Sequence, residues 1–265
     1  MQWNGYEISA NVSLLFTELP YMERFEAAFE SGFRAVESWW PFTRAHPGDA
    51  ALDDLVGTIH DSGVRLTGLN FFAGDMAGGE RGIACRPERQ AELEANTEAV
   101  LRVALATGCR GFNLLYGQPD GGAEPSTHRT IAVTAYRRAA EAVEEIGGTV
   151  LIEPLAGGLN GTYPLTTHHQ GLELADEVGH GSALLLDTFH LSRNGVDPSR
   201  AADESAGRIG HVQLADTPDR GEPGSGELDW ASLAAALQTS GYSGTVSAEY
   251  KPTRKTEETL SWLKN

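Results

Sequence analysis

A (β/α)8 barrel is the fold this sequence predicts, and three observations carry the prediction. The chain has 265 residues, the usual size of one eight-fold α/β barrel and long for most other domains. Short β-prone apolar runs alternate with longer stretches of helical periodicity, and the pairs recur about every 30 residues, which implies a parallel sheet. The alternation continues through eight strand candidates without a linker or a break in composition, which favours closure into a barrel over an open doubly wound sheet. One TIM-barrel domain spanning 1–265 is expected.

The first strand is expected at 8–13, followed by a helix over 21–30. The second strand, 35–38, leads into a helix at 52–61, and the third, 66–71, into one at 88–106. The fourth and fifth strands, 111–115 and 150–153, flank a helix at 132–145. A helix at 171–178 precedes the sixth strand, 183–187; one at 198–206 precedes the seventh, 209–214; and one at 230–239 precedes the eighth, 245–249. Within these helices Leu, Val, Phe and Ala recur at three- and four-residue intervals. Gly32, Gly63, Gly108, Gly147 and Gly241 each fall between a helix and the next strand, where a left-handed cap is expected. The Gly/Pro-rich stretches 117–125 and 219–226 follow the fourth and seventh strands and belong to the catalytic face. GEPGSG at 221–226 lies too late in the chain for a dinucleotide motif and is expected to be a mobile rim loop.

Apolar residues make up 40% of the chain and charged residues 22%, enough for a core and a solvated shell. The 37 acidic and 20 basic residues leave a formal charge of −17. That charge repels nucleic-acid phosphates and anionic lipid heads, so neither is an expected partner. An anionic substrate would need the field reversed locally by basic side chains or a bound cation. The N-terminus has no basic start followed by an apolar core, and no run of about 18 apolar residues occurs, so the protein is expected in the cytoplasm and off the membrane. Cys85 and Cys109 are expected to be reduced structural thiols. Composition leaves a homo-oligomer open.

In a parallel barrel the strand ends converge on one rim, where such enzymes place their chemistry. Glu153 in LIEPL, Asp187 in LLLDTFH, Gln213 in HVQLAD and Glu249 in SAEYKP terminate four consecutive strands. Each follows an apolar run, so burying the charges unpaired would be costly, and something positive is expected among them. Three carboxylates and an amide carbonyl suit a hard divalent cation, Mg²⁺ or Mn²⁺ rather than zinc, with further coordination positions left for substrate oxygens. Any one of these acids could equally cap a helix or pair with a base; the set of four at matching positions carries the reading. Glu37, Asn70 and Asn113 end the second to fourth strands and are further pocket candidates. Trp39, Trp40, Phe71, Phe72 and Tyr116 are candidates to wall the site. His211 shares the inward face of Gln213, one layer deeper, and is expected to support it. Lys251 follows Glu249 and either reaches the rim or stays solvated. His168 and His169, at a helix start, receive no role.

The segments ANVSLLFTELPYMERFEAAFESGFRAVE, GLNFFAGD, IEP, LDTFH, HVQLADTPDRGEPGSGELDW and AEYKP resemble the hydroxypyruvate isomerase family. This is a branch of the xylose-isomerase-like barrels that also contains ketose 3-epimerases, and the likeness spans nearly the whole chain. It implies that Glu153, Asp187, Gln213 and Glu249 bind the metal, with Glu153 and Glu249 also facing each other across the substrate as acid–base groups. His190 and Arg220 match family positions that contact substrate oxygens. The implied chemistry interconverts hydroxypyruvate and tartronate semialdehyde, a small hydroxy-carbonyl substrate, through an enediolate. Arg220 offers a planar fork suited to a carboxylate, His190 a donor, and Asn70, Tyr116 and Lys251 are expected substrate contacts. EPLAGGLNGTYPL departs from the family, where an Asn and an Arg usually follow the fifth-strand Glu. Ala156 and Gly158 cannot replace them, so a substrate carboxylate is held differently or is absent. Competing readings are a ketose 3-epimerase or an isomerase of a longer acid sugar with the same machinery, a metal-dependent endonuclease on this barrel, and a sugar-binding barrel without catalysis. The endonuclease is disfavoured by the acidic charge and by the lack of a His-rich multi-metal set.

Overall fold

The computed structural model describes residues 1–119, 121–122, 124–179 and 181–264; Asp120 and Ala123 of the 117–125 stretch lie outside the described residues. Eight parallel strands form the barrel: β1 (Tyr6–Asn11), β2 (Ala35–Ser38), β3 (Arg65–Asn70), β4 (Gly111–Asn113), β5 (Thr149–Ile152), β6 (Ser182–Asp187), β7 (Ile209–Leu214) and β8 (Val246–Ala248). Each pairs with the next, and β1 closes on β8 through Ile8↔Val246, Ser9↔Ser247 and Ala10↔Ala248. A two-residue strand, Gln2–Trp3, turns back antiparallel on β1. The packed helices are α1 (Arg24–Glu30), α2 (Asp49–Ser62), α3 (Gln90–Thr107), α4 (Pro125–Glu144), α5 (His168–Val178), α6 (Thr188–Arg193), α7 (Pro198–Glu204) and α8 (Trp230–Thr239).

Local chemistry fixes the helix ends. Gly63 and Gly108 close α2 and α3 in left-handed conformation, at φ 76° and 77°, a geometry that costs glycine least. Thr167 and Gln170 form a reciprocal capping box at the start of α5. Proline opens α4, where its missing N–H costs nothing, so that helix begins at Pro125 rather than at 132. Among the α-helices of the described residues, α6 has no counterpart in the sequence reading. α6 starts directly after Asp187 and is too short to show a helical period; the Asp187 side chain caps it by accepting from the His190 N–H at 2.8 Å.

Strand alternation sorts the side chains. On β1 and β8 Ile8, Ala10, Val246 and Ala248 pair with one another and pack in the hydrophobic core, while Ser9, Asn11 and Ser247 take the opposite, interior face. The interior is therefore polar on this side. Glu37 accepts from Asn11 Nδ2 at 2.8 Å, from Gln213 Nε2 at 2.8 Å, and bonds His211 Nε2 at 2.5 Å. Gly68 makes room for it: a Cβ there would lie 3.1 Å from the Glu37 Cβ. Burial alone would raise the Glu37 pKa, but the charge and hydrogen bond of His211, with Asn11, outweigh it and hold the carboxyl below its usual range. Among the described residues no helix is long and apolar enough to cross a membrane.

Candidate active site

The residues that matter stand at or just beyond the C-terminal ends of four strands. Glu153 and Glu249 stand one position beyond β5 and β8, while Asp187 and Gln213 lie in β6 and β7 as a direct register pair. All four are buried, at 4%, 3%, 1% and 2% exposure respectively. Glu153, Glu249, His190, Arg220, Lys251, Asn70 and Trp39 line one cavity of about 360 Å³ at the C-terminal mouth of the barrel, where barrel active sites are built.

Short contacts link the acids. The Arg220 guanidinium nitrogen NH2 lies 3.2 Å from Asp187 Oδ2 and 3.0 Å from Glu249 Oε1. Trp39 Nε1 donates to the same Glu249 oxygen at 3.1 Å, and Asn113 Nδ2 donates to Glu153 Oε2 at 2.7 Å. His190 Nε2 stands 3.7 Å from Glu153 Oε1 and 4.0 Å from Asp187 Oδ2. Its other nitrogen, Nδ1, accepts the Ala156 backbone N–H at 3.0 Å. A neutral imidazole accepting at Nδ1 carries its proton on Nε2, so His190 presents a donor to the acids. Burial, and after it the positive Arg220 and Arg81, hold this histidine well below its usual range, so it is neutral.

Three buried carboxylates around one guanidinium are under-compensated. Burial first and Asp187 second push the Glu153 pKa up to about 8. Burial likewise raises Asp187, against Arg220 and the helical N–H groups, and raises Glu249 well above the carboxylate range. Two oxygens stand out: Gln213 Oε1 and Glu249 Oε2 are buried with no hydrogen-bond partner. Gln213 has its amide nitrogen held by Glu37, which leaves the carbonyl oxygen as the atom it can offer. Orphaned buried acceptors beside carboxylates that resist ionisation form a donor set that fits a hard divalent cation. His190 does not fit as a ligand through Nε2, because that nitrogen holds the proton.

Other sequence-selected residues are placed differently. Leu115, not Tyr116, lines the cavity; the Tyr116 phenol lies near Arg129 on α4, whose charge partly offsets the effect of burial, because adjacent residues leaving β4 point to opposite sides. Asn70 lines the cavity, and Lys251 is exposed at its edge, its backbone N–H bonded to the Arg220 carbonyl at 2.7 Å. Trp40, Phe71 and Phe72 line an adjoining cavity that shares Trp39 and Asn70. Glu37 and His211 sit beneath Gln213 as a support. The 221–226 loop, expected to be mobile, is anchored: the Asp216 carboxylate accepts from the N–H groups of Thr217, Gly224 and Leu228 and from Trp230 Nε1. Sequence reasoning passed over Arg81 and Asn160, which also line the site cavity. Neither lies at a strand end, and only the return of two loops onto the rim brings them in.

Comparison with known proteins gives a consistent picture. The family model described as "Xylose isomerase-like TIM barrel" matches residues 25–265. The chain is 37% identical to the hydroxypyruvate isomerase of Escherichia coli, covering 96% of this chain and 97% of that protein. It is 30% identical to the 2-oxo-tetronate isomerase of Haemophilus influenzae, covering 97% and 98%. Among solved structures, an AP endonuclease, family 2, from Brucella melitensis superposes with a TM-score of 0.89 at 32% identity, over 98% of each chain.

Proposed function

The chain belongs to the family of xylose isomerase-like TIM barrels, and on that premise we propose that it is a divalent-cation-dependent isomerase of small hydroxy acids, interconverting hydroxypyruvate and tartronate semialdehyde. The observation that carries the reading is the cluster of three buried carboxylates, in which Asp187 and Glu249 share the Arg220 guanidinium while Glu153, beside His190, lines the cavity with Glu249 and Arg220.

Glu153, Asp187, Gln213 and Glu249 would hold the cation, Mg²⁺ or Mn²⁺, which when bound polarises the carbonyl and hydroxyl oxygens of the substrate and stabilises the negative charge of the enediolate. The side chains do the proton work. One glutamate removes a proton from the hydroxymethyl carbon; its electron pair forms the carbon–carbon double bond of the enediolate while the carbonyl electrons pass to the C2 oxygen. The proton of the C3 hydroxyl passes to the C2 oxygen, a carboxyl returns a proton to C2, and the C3 oxygen is left as the aldehyde carbonyl. Glu153 and Glu249 line the same cavity, and their burial makes each a stronger base than a solvated carboxylate. The Nε2–H of His190 supplies a neutral donor for a substrate oxygen, and Trp39 keeps Glu249 oriented. Leu155 and Leu115 exclude water from one side of the cavity.

Product analysis by NMR separates the candidate activities. Purified protein with Mn²⁺ is expected to convert hydroxypyruvate to tartronate semialdehyde; turnover of fructose or tagatose alone would refute this in favour of a ketose 3-epimerase, and preference for a four-carbon 2-oxo acid would move the substrate to a longer acid sugar. The endonuclease name carried by one similar structure does not transfer well to a chain of charge −17. Nicking of abasic DNA is therefore expected to be undetectable.

A further inference from the structure

We propose that Arg81 is the anchor for the substrate's carboxylate, which makes the cavity selective for acid sugars over neutral ketoses. The proposal rests on the isomerase reading above and identifies the residue that binds the charged end of its substrate.

Arg81 lines the cavity together with Glu153, His190, Arg220 and Glu249. Its Nε donates to Asn160 Oδ1 at 2.9 Å, and its NH1 donates to the carbonyls of Met76 and Glu80 at 3.0 and 2.7 Å. These acceptors are all neutral. Asn160 is itself fixed, its amide nitrogen donating to the Ala156 carbonyl at 2.9 Å, so that Oδ1 is the atom turned to the arginine. The remaining nitrogen, NH2, has no hydrogen-bond partner among the described residues. No carboxylate among them pairs with this guanidinium. The adjacent acid, Glu80, is committed elsewhere, accepting from the Asp75 N–H at 2.6 Å and pairing with Arg89 at 3.0 Å.

The half-buried cation is held in place by its loop. The Gly82 N–H donates to the Ala73 carbonyl at 2.8 Å, and Gly82 bridges Tyr116. Gly82 has φ +98°, and a Cβ on it would strike the Leu115 carbonyl, so only glycine lets the loop return this close to the barrel and deliver Arg81 to the cavity. Burial first, and Arg220 second, lower the pKa of Arg81. Both effects disfavour its charge, and nothing in the described protein offsets them. A ligand carboxylate would do so, through a charge-assisted bond to a donor already oriented. Arg220 is less suited to the task, because its charge is already matched by the Asp187 and Glu249 carboxylates, whereas that of Arg81 is not.

The test compares binding of glycerate, a three-carbon acid that mimics the substrate's charged end, with binding of neutral dihydroxyacetone. Isothermal calorimetry on the Mn²⁺-loaded protein is expected to show glycerate binding more tightly. Arg81→Gln should weaken glycerate about 10- to 100-fold, the worth of one charge-assisted hydrogen bond, and leave dihydroxyacetone unchanged; Arg81→Lys should recover part of the loss. In turnover, Arg81→Gln should raise KM for hydroxypyruvate more than it lowers kcat. Unchanged glycerate affinity in Arg81→Gln, an equal loss for both ligands, or a wild type indifferent to the carboxylate would each overturn the proposal. A wild type that binds glycerate through Arg81 yet leaves hydroxypyruvate unconverted would uphold the anchor and refute the isomerase reading.

Discussion

Stripping the protein of divalent cation should make it lose stability as the pH rises, and Glu153→Gln should remove most of that loss. Burial, and then Asp187, push the Glu153 carboxyl up to about 8 from its ordinary 4.5, so between those values the folded chain holds a proton that the unfolded chain has released. Its contribution to stability is complete below the unfolded pKa and disappears as the pH climbs through the folded one. Each pH unit in that window costs about 1.4 kcal/mol per proton, so the metal-free wild type should lose roughly 2 kcal/mol more than Glu153→Gln between about pH 6 and about pH 8. Asp187 and Glu249 shift in the same direction and steepen the wild-type slope. With saturating Mn²⁺ the carboxylates stay ionised and the slope should vanish. Urea unfolding followed by tryptophan fluorescence, with chelator and with Mn²⁺, reads all of these quantities. Equal losses in wild type and Glu153→Gln under chelation would refute the electrostatic account of the site.

Three further outcomes are expected. Glu153→Gln and Glu249→Gln should each lower kcat by about 10²- to 10⁴-fold, the usual worth of a general acid or base, with an unchanged circular dichroism spectrum; deuterium uptake into hydroxypyruvate in D₂O should fall in parallel. Glu37→Gln should cost about 3–5 kcal/mol in urea unfolding, because it leaves His211 buried beside an amide; a loss under about 1 kcal/mol would contradict the support role. His190→Ala should lower kcat/KM about 10- to 100-fold. The wild-type pH profile should show no histidine limb near the usual imidazole value of about 6.5, since burial keeps His190 neutral.

Much of the fold was legible because the barrel repeats one local pattern. Strands at 35–38 and 209–214 match the structure residue for residue, being compact β-prone runs between clear breaks. β1 was less clear: it ends at Asn11, whose side chain accepts the Ser13 N–H and turns the chain before the expected end at 13. α6 was invisible because six residues carry too little periodicity. At the site, the acids at the strand ends could be read because parallel strands share one rim, and Gln213 because it stands in register beside Asp187. That Glu37 would sink into a bond network with Asn11, His211 and Gln213 depends on strands far apart in sequence. Arg81 was missed for a similar reason: its approach depends on a loop closure between Ala73 and Gly82, which no spacing along the chain reveals.

The most direct test is Mn²⁺ binding measured by electron paramagnetic resonance titration of the purified protein. The account predicts one tightly bound ion per chain, with affinity lost on Asp187→Asn and on Glu249→Gln and weakened on Gln213→Leu, and isomerisation following occupancy. Binding that is absent, or that survives these three substitutions unchanged, would contradict it.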